Sequence, residues 1–262
     1  MFENRVKQLL QAGRAAWGAG LADASEIVAQ TTIETGIDFL WIDLEHRPYE
    51  VEAVRWIPLF CRRKSCVPLI RVAGLESHLI KKALDIGASA IMVPQVDSAE
   101  EAELAVQYCK YPPEGTRGVS PLWPHFEGVS WSDYLPRANR ETLVVVQIET
   151  VSGIENLESI AAVPGVDVLF VGPTDTSAAL GHIGQIEHPE VQAFLADFPR
   201  RVAPSGKAAG ITLQSLDECR RAYEQGYRFI SCGNVVLSGQ AALTSDLGRL
   251  RTMESSRPDA KG

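Results

Sequence analysis

Ionisable side chains directly follow an apolar segment near residue 40, although the composition of that segment suits a buried strand. The sequence W-I-D-L-E-H, residues 41–46, brings Asp43, Glu45 and His46 together at its end. An imidazole titrates near neutral pH, and a neighbouring carboxylate can orient it or balance its charge. A hydrophobic core needs none of these groups, so the segment indicates proton-transfer chemistry.

Polar residues also end several later apolar runs. Arg71 closes V-P-L-I-R, Gln147 and Glu149 alternate with apolar residues in V-V-V-Q-I-E, and Asp175 ends F-V-G-P-T-D. Because side chains alternate along a strand, Gln147 and Glu149 share one face. The carboxylates of Glu149 and Asp175 could hold a hard divalent cation, which prefers oxygen ligands and leaves positions open for water and substrate.

Each of these residues also has a purely structural interpretation. Asp175 could be only the cap of a following helix, Arg71 could merely neutralise carboxylates, and His46 could be a surface histidine. A Schiff-base lysine would be the competing way to activate a carbonyl compound. However, Lys207 begins a predicted strand at the opposite face, and the other lysines considered, Lys64, Lys81, Lys82 and Lys110, fall in predicted helices or connecting loops. Metal-assisted chemistry is therefore favoured.

Alternating strands and helices are predicted along the whole chain of 262 residues. Eight short apolar runs are predicted strands: 15–20, 38–43, 67–72, 90–95, 143–149, 166–172, 207–213 and 228–233. Predicted helices between them are 25–35, 50–61, 78–86, 99–109, 152–162, 189–198 and 215–225. Glycines such as Gly87 and Gly226 close helices before the next strand.

This alternation predicts a single-domain (β/α)8 TIM barrel over residues 1–253, followed by a disordered tail at 254–262. A doubly wound open sheet is the alternative, but the G-x-G-x-x-G turn typical of that fold is absent. In a (β/α)8 barrel the carboxyl ends of the strands form the active-site mouth, so the polar residues described above should converge there.

Residues 111–140 interrupt the regular alternation. They contain five prolines and three glycines, with aromatic bulk from Trp123, His125, Phe126 and Trp131. An irregular segment of this length in a compact domain is usually a lid, a binding loop or an oligomer contact.

Composition excludes several classes of partner. A formal charge of -8 argues against nucleic acid and anionic membranes, which select for basic patches. The five cysteines are odd in number and contain no C-x-x-C pair, so they predict neither a disulfide framework nor a zinc site. We find no signal peptide and no apolar run long enough to span a membrane. The sequence therefore predicts a cytoplasmic protein that binds small molecules.

Five ordered motifs resemble the HpcH/HpaI family of class II pyruvate aldolases, which includes the 4-hydroxy-2-oxoheptanedioate and 2-dehydro-3-deoxy-sugar-acid aldolases. These motifs are W-I-D-L-E-H, the arginine of P-L-I-R, Y-P-P-E-G-T-R-G, V-V-V-Q-I-E-T and F-V-G-P-T-D. The similarity covers residues 36–184 and continues more weakly to 243. The related acyl-CoA lyases typically have an acidic residue and no histidine after D-x-E, so His46 favours the aldolases.

The resemblance implies a hexameric barrel that cleaves or forms 4-hydroxy-2-oxo acids through a metal-bound pyruvate enolate. Glu149 and Asp175 would be the protein ligands of Mg²⁺, Mn²⁺ or Co²⁺. Arg71 would hold the keto oxygen as it becomes an enolate. These roles agree with the chemistry expected of the residues, since a cation acts as a Lewis acid and an arginine stabilises developing negative charge.

The resemblance also assigns the remaining site residues. His46, working through a water, would move the proton of the C4 hydroxyl, and Asp43 and Asp85 both match family aspartates that could orient it. Gln147 would lie beside the metal. The pyruvate carboxylate would be received by backbone N–H groups at a helix start, those around Gly172, Thr174 and Asp175.

Two alternative functions remain. The first, which the resemblance implies through a relative with the same core motifs, is a macrophomate-synthase-like enzyme that decarboxylates oxaloacetate and forms a carbon–carbon bond with the resulting enolate. The second is a non-catalytic barrel that binds metabolites or serves as an assembly subunit. The expected partners are pyruvate or oxaloacetate, an aldehyde, and further copies of the chain in a homo-oligomer.

Overall fold

Eight parallel strands close into a barrel in the computed structural model, which describes residues 3–255. The strands are β1 (Ala16–Gly20), β2 (Phe39–Asp43), β3 (Val67–Arg71), β4 (Ala90–Val93), β5 (Leu143–Gln147), β6 (Val168–Val171), β7 (Ala208–Leu213) and β8 (Phe229–Cys232). Neighbours in sequence pair in parallel, and β8 pairs with β1. This closure confirms the (β/α)8 barrel and excludes an open, doubly wound sheet.

Helices surround the barrel. They are α1 (Arg5–Gln11), α2 (Glu26–Ile33), α3 (Ile57–Arg63), α4 (Ser77–Asp85), α5 (Ala99–Cys109), α6 (Trp123–Phe126), α7 (Trp131–Glu141), α8 (Val151–Glu155), α9 (Leu157–Ala162), α10 (Pro173–Ala179), α11 (Pro189–Val202), α12 (Leu216–Gln225) and α13 (Val235–Ser255), with a short 3-10 helix at Ala203–Ser205. Within residues 3–255, no helix combines the length and the apolarity that a membrane crossing requires.

Several predicted helix starts are confirmed by their caps. Ser25, Ser98 and Ser215 each accept a backbone N–H from the first turn, and Ser215 forms a reciprocal capping box with Glu218. The predicted helix 50–61 is helical only from Ile57. The C-terminal helix α13 continues through the first two residues of the predicted tail, and residues 256–262 lie outside the described part of the chain.

Aromatic rings fill the inside of the barrel below the strand ends. Phe39 and Phe229 stack with ring centroids 4.0 Å apart, and Phe170 meets Phe229 edge-on. Alternate residues such as Val144 and Val146 instead face outward into the larger core beneath the helices. This alternation is the one predicted for strand β5, and it makes the barrel interior a packed core beneath the mouth.

Gly18 in β1 makes room for this inner layer. A Cβ built at Gly18 would lie 2.2 Å from the ring of Phe39. We expect Gly18→Ala to lower the free energy of unfolding by about 1–3 kcal/mol, because the displaced ring is held by Phe229. Urea denaturation measures this change. Gly74→Ala is the matched control, since a Cβ there meets nothing within 4 Å, and equal losses in both variants would contradict the prediction.

The segment 111–140 is more ordered than the sequence suggested. Its second half forms α6 and α7, and Pro124 stands in the first turn of α6, where a missing N–H is tolerated. Trp123 and Tyr134 meet edge-on and, with Tyr111, form a satellite core outside the barrel. The expectation of an irregular loop is therefore wrong for residues 123–126 and 131–140.

Candidate active site

Arg71 is the centre of the polar cluster at the carboxyl ends of the strands. It is the last residue of β3 and only 6% exposed. Its Nε and Nη2 atoms donate to the two carboxylate oxygens of Asp43, at 2.9 and 2.7 Å. Its Nη1 atom lies 2.9 Å from Oε2 of Glu45, and the guanidinium stands over the Trp41 ring at 4.9 Å. A bidentate pair and a stacked ring fix the plane of the guanidinium.

Asp43 orients Arg71 and the turn after β2. Its Oδ1 atom also accepts the backbone N–H groups of Glu45 and His46, at 3.0 and 3.3 Å. Burial would raise the pKa of the Asp43 carboxyl, but the hydrogen bonds and charge of Arg71 outweigh burial and hold that pKa below its usual value. Asp43 is therefore an anion that fixes the backbone of His46, and its described contacts do not include the imidazole ring.

Glu45 is a site residue whose contacts the sequence did not predict. Its Oε2 atom lies 3.7 Å from Nε2 of His46, in addition to its contact with Arg71. Burial raises the pKa of the Glu45 carboxyl, against the opposing charges of Arg71 and His46. The His46 side chain is 62% exposed, so it lies at the open mouth, where it can meet a substrate without displacing packed groups. The D-L-E-H spacing was the available signal for Glu45.

Glu149 lies deeper than His46 and is held by two groups. It is 6% exposed; its Oε2 atom accepts from Nε2 of Gln147 at 2.8 Å, and its Oε1 atom accepts the Gln95 backbone N–H at 3.1 Å. That N–H points inward because Gln95 adopts a left-handed conformation with φ 51°. Gln147 in turn accepts from Nη1 of Arg71 at 3.4 Å. The predicted convergence of Arg71, Gln147 and Glu149 is present.

Asp175 stands beside Glu149 at the start of α10. A Cβ built at Gly172 would lie 3.5 Å from Oδ2 of Asp175 and 3.5 Å from Oε2 of Glu149. Burial raises the pKa of Glu149 to about 7, and the negative charges of Asp175 and Glu45 add to this rise. Two adjacent carboxylates that raise a pKa in this way suit a cation, because opposite charge would stabilise the ionised forms. The donor set consists of oxygens, and it therefore fits a hard divalent ion.

Backbone N–H groups at the start of α10 border the same carboxylates. Gly172 is the N-cap of this helix, and Thr174 and Asp175 lie exposed in its first turn. The first N–H groups of a helix have no partner within the helix. The structure therefore places Gly172, Thr174 and Asp175 together, in an arrangement that can receive an anion.

Asp85 is the predicted site residue that a single chain does not place with the others. It ends α4, which runs back from the mouth toward the start of β4, so its carboxylate lies near the opposite end of the barrel. There it accepts from Nη2 of Arg117 at 2.7 Å. Within one chain, Asp85 therefore pairs with Arg117 of the 111–140 segment, away from His46.

Lys207, the lysine nearest to a strand in the sequence, lies away from the mouth. It precedes β7, and its Nζ atom donates to the backbone carbonyl of Val163. Burial lowers the pKa of this lysine to about 8. Because it is bound at the amino ends of the strands, Lys207 is not positioned to form a Schiff base with a substrate at the opposite end.

Comparison with known proteins gives the family. The model of the HpcH/HpaI aldolase/citrate lyase family matches residues 18–238. A hydroxypyruvate/pyruvate aldolase from Pseudomonas aeruginosa is 41% identical over 231 residues, covering 88% of this chain and 86% of its own length. The matched region contains every residue of the polar cluster described above.

Solved structures agree with this match. An HpcH/HpaI aldolase/citrate lyase family protein from Burkholderia cenocepacia J2315 superimposes with a TM-score of 0.88 at 34% identity, covering 95% of this chain and 99% of that one. Macrophomate synthase superimposes with a TM-score of 0.83 at 26% identity, covering 95% and 90% of the two chains. The chain therefore belongs to the HpcH/HpaI aldolase/citrate lyase family and is an enzyme, a carbon–carbon lyase.

Proposed function

We propose that this protein is a metal-dependent class II aldolase that cleaves or forms 4-hydroxy-2-oxo acids from pyruvate and an aldehyde. The observation that carries the proposal is the pair Glu149 and Asp175 on either side of Gly172, with Arg71 linked to Glu149 through Gln147. This arrangement offers oxygen ligands beside a fixed positive charge. Such a pairing can bind a 2-oxo acid and stabilise its enolate.

Glu149 and Asp175 would hold Mg²⁺, Mn²⁺ or Co²⁺ in this proposal. When bound, the cation acts as a Lewis acid toward the 2-oxo acid. Gln147 holds the Glu149 carboxylate in place through its Nε2 hydrogen bond. The free N–H groups at the start of α10 receive the substrate carboxylate, because a helix N-terminus favours negative charge. Together these contacts would direct the keto oxygen toward Arg71.

Arg71 and His46 perform separate parts of the reaction. Arg71 donates to the keto oxygen as it gains negative charge, and Asp43 keeps the guanidinium in plane while it does so. His46, exposed at the mouth, takes the proton from the C4 hydroxyl in cleavage and returns it in synthesis. His46 follows β2 and Arg71 ends β3, and Glu45 contacts both side chains.

We expect the activity to disappear in a chelator and to return with a divalent ion, because carboxylates bind the substrate only through a cation. Pyruvate release from a 4-hydroxy-2-oxo acid, with and without added Mn²⁺, measures this dependence. Borohydride added with pyruvate should leave the protein mass unchanged, since Lys207 lies away from the mouth. A covalent adduct on a lysine would contradict the metal mechanism.

Decarboxylation of oxaloacetate with formation of a carbon–carbon bond is the second candidate activity. The superposition with macrophomate synthase favours it as an additional reaction. The same Arg71 would stabilise the same enolate, which decarboxylation forms instead of carbon–carbon cleavage. Membership of a lyase family speaks against the third alternative, a non-catalytic barrel. The cytoplasmic location stays a prediction from the sequence.

We also propose that the chain forms a homo-oligomer, a hexamer by analogy with the family. The helix α13 rests mainly against α2 and leaves Leu237, Leu243 and Leu250 exposed. Trp56 and Phe126 add a second exposed apolar area. Large exposed apolar patches usually mark an interaction surface. Light scattering is expected to give a multiple of 28.6 kDa, and a sharp monomer peak would contradict the proposal.

A further inference from the structure

A cluster of two histidines and a glutamate lies outside the candidate active site. His182 stands in the connection between α10 and α11, His188 is the N-cap of α11, and Glu190 lies in the first turn of that helix. One ligand atom from each residue lies within 4.8 Å of the other two. Because α10 follows β6, the cluster lies on the side of the barrel that carries the mouth.

The contacts within the cluster are close. Nε2 of His182 lies 2.9 Å from Oε2 of Glu190, and the rings of His182 and His188 stack with centroids 3.4 Å apart. Nδ1 of His188 accepts the backbone N–H of Glu190 at 3.3 Å. That bond fixes the ring and leaves Nε2 of His188 available, with no hydrogen-bond partner among the described residues.

The backbone of the connection is fixed by hydrogen bonds to α10. The His182 N–H donates to the Ser177 carbonyl at 2.7 Å, and the Gly184 N–H donates to Oγ of Ser177 at 3.0 Å. The His188 N–H then donates to the Gln185 carbonyl at 2.9 Å. The two imidazoles are therefore presented by a defined turn, so little backbone ordering would oppose binding of a ligand.

We propose that His182, His188 and Glu190 form a second metal site, selective for zinc and similar borderline transition ions. Two imidazole nitrogens and one carboxylate are a ligand set that zinc uses, with a water in the fourth position. Mg²⁺ prefers oxygen ligands, so a set with two imidazole nitrogens binds it weakly. The chain would then hold two sites of different chemistry, the oxygen-lined pair at Glu149 and Asp175 and this nitrogen-rich cluster.

Charge also favours a cation at this cluster. Glu190 places a carboxylate beside the two imidazoles, and its negative charge would balance part of the charge of a bound divalent ion. Bonds of about 2 Å to the ion require the two rings to tilt out of their stacked arrangement, which exchanges the His182–Glu190 hydrogen bond for metal coordination.

The test uses the full chain in a Glu149→Gln, Asp175→Asn background, which removes the oxygen-lined pair. After chelator treatment, Zn²⁺ is titrated in competition with a chromophoric zinc chelator. We expect one zinc bound per chain, no displacement by excess Mg²⁺, and a loss of affinity of about 10-fold or more in His182→Ala. No binding, or displacement of zinc by Mg²⁺, would overturn the proposal.

Two further variants separate coordination from folding. His188→Asn keeps an acceptor for the N-cap bond but removes the second imidazole, so it should weaken zinc binding while leaving the melting temperature of the zinc-free protein nearly unchanged. His125→Asn, an exposed histidine in α6, is the matched control and should leave zinc affinity unchanged. Equal affinities in the three histidine variants would overturn the proposal.

The thiols of Cys219 and Cys232, with Sγ atoms 3.2 Å apart, are the competing soft ligands. Cys219→Ser should leave zinc affinity unchanged. Co²⁺ added in place of zinc should give only weak visible bands and no intense near-ultraviolet absorption. The intense absorption requires thiolate ligands, and this site offers nitrogen and oxygen ligands. Loss of binding in Cys219→Ser, or strong thiolate absorption, would place the metal at the thiols and overturn the proposal.

Discussion

Replacing Arg71 by alanine is expected to suppress both retro-aldol cleavage and exchange of the pyruvate methyl protons with solvent. In the proposed mechanism both reactions pass through the enolate, and Arg71 is the cation linked by hydrogen bonds to Gln147 beside Glu149. Removing one preorganised donor to a developing oxyanion slows a reaction by about 10²- to 10³-fold. The cleavage rate and deuterium incorporation into pyruvate measure the two effects.

A lysine at position 71 should rescue only part of the loss. It restores the charge, but it lacks the planar fork that contacts both oxygens of Asp43. Removing the Arg71 guanidinium takes away the cation that pairs with Asp43 and Glu45. Circular dichroism therefore checks that the alanine variant folds. Arg201→Ala is the matched control, since Arg201 pairs with Glu158 on the helical surface, and it should change the rates by less than about twofold. Unchanged proton exchange in Arg71→Ala would refute the assigned role.

Replacing His46 by alanine is expected to separate the two reactions that Arg71→Ala suppresses together. General-base catalysis is worth about 10²- to 10⁴-fold, so cleavage should slow by at least 10²-fold, while exchange of the pyruvate methyl protons is less affected. The imidazole is suited to this role because it is exposed at the mouth, 3.7 Å from Glu45. Neither contact of Arg71 with Asp43 involves the His46 side chain.

The same two rates decide this second assignment. His125→Ala removes an exposed histidine far along the chain, in α6, and should leave both rates unchanged. Equal losses of cleavage and exchange in His46→Ala would mean that His46 builds the site generally and is not the C4 base. Wild-type melting temperature in both variants would exclude a folding defect.

Local patterns were sufficient to predict the barrel. Apolar runs followed by glycine-closed helices recur along the chain, and each repeat is a βα unit whose strand is buried on both faces. The helix breaks were harder to predict. Residues 51–56 and the interruption at Asn156 between α8 and α9 have helix-forming neighbours, and tertiary packing decides where such helices begin.

The candidate site was predictable in its members and less so in its contacts. Arg71, Gln147 and Glu149 were recognisable because each follows an apolar run at a strand end. Arg71 pairs with Asp43 and Glu45, and Asp43 lies 28 residues away in the sequence. This pairing depends on the register of neighbouring strands. Asp85 could not be placed from its motif, because the helix α4 carries it toward the end of the barrel opposite the mouth.

The aromatic layer of Phe39, Phe170 and Phe229 closes the barrel from below. This closure determines the order in which substrates can bind and leave. Glu149 is the buried end of the cluster, and His46 is exposed at the mouth above it. In the proposed reaction the 2-oxo acid, bound deepest, would therefore enter first and leave last, and the aldehyde would bind above it. Steady-state kinetics of synthesis should accordingly be ordered, with pyruvate as the leading substrate.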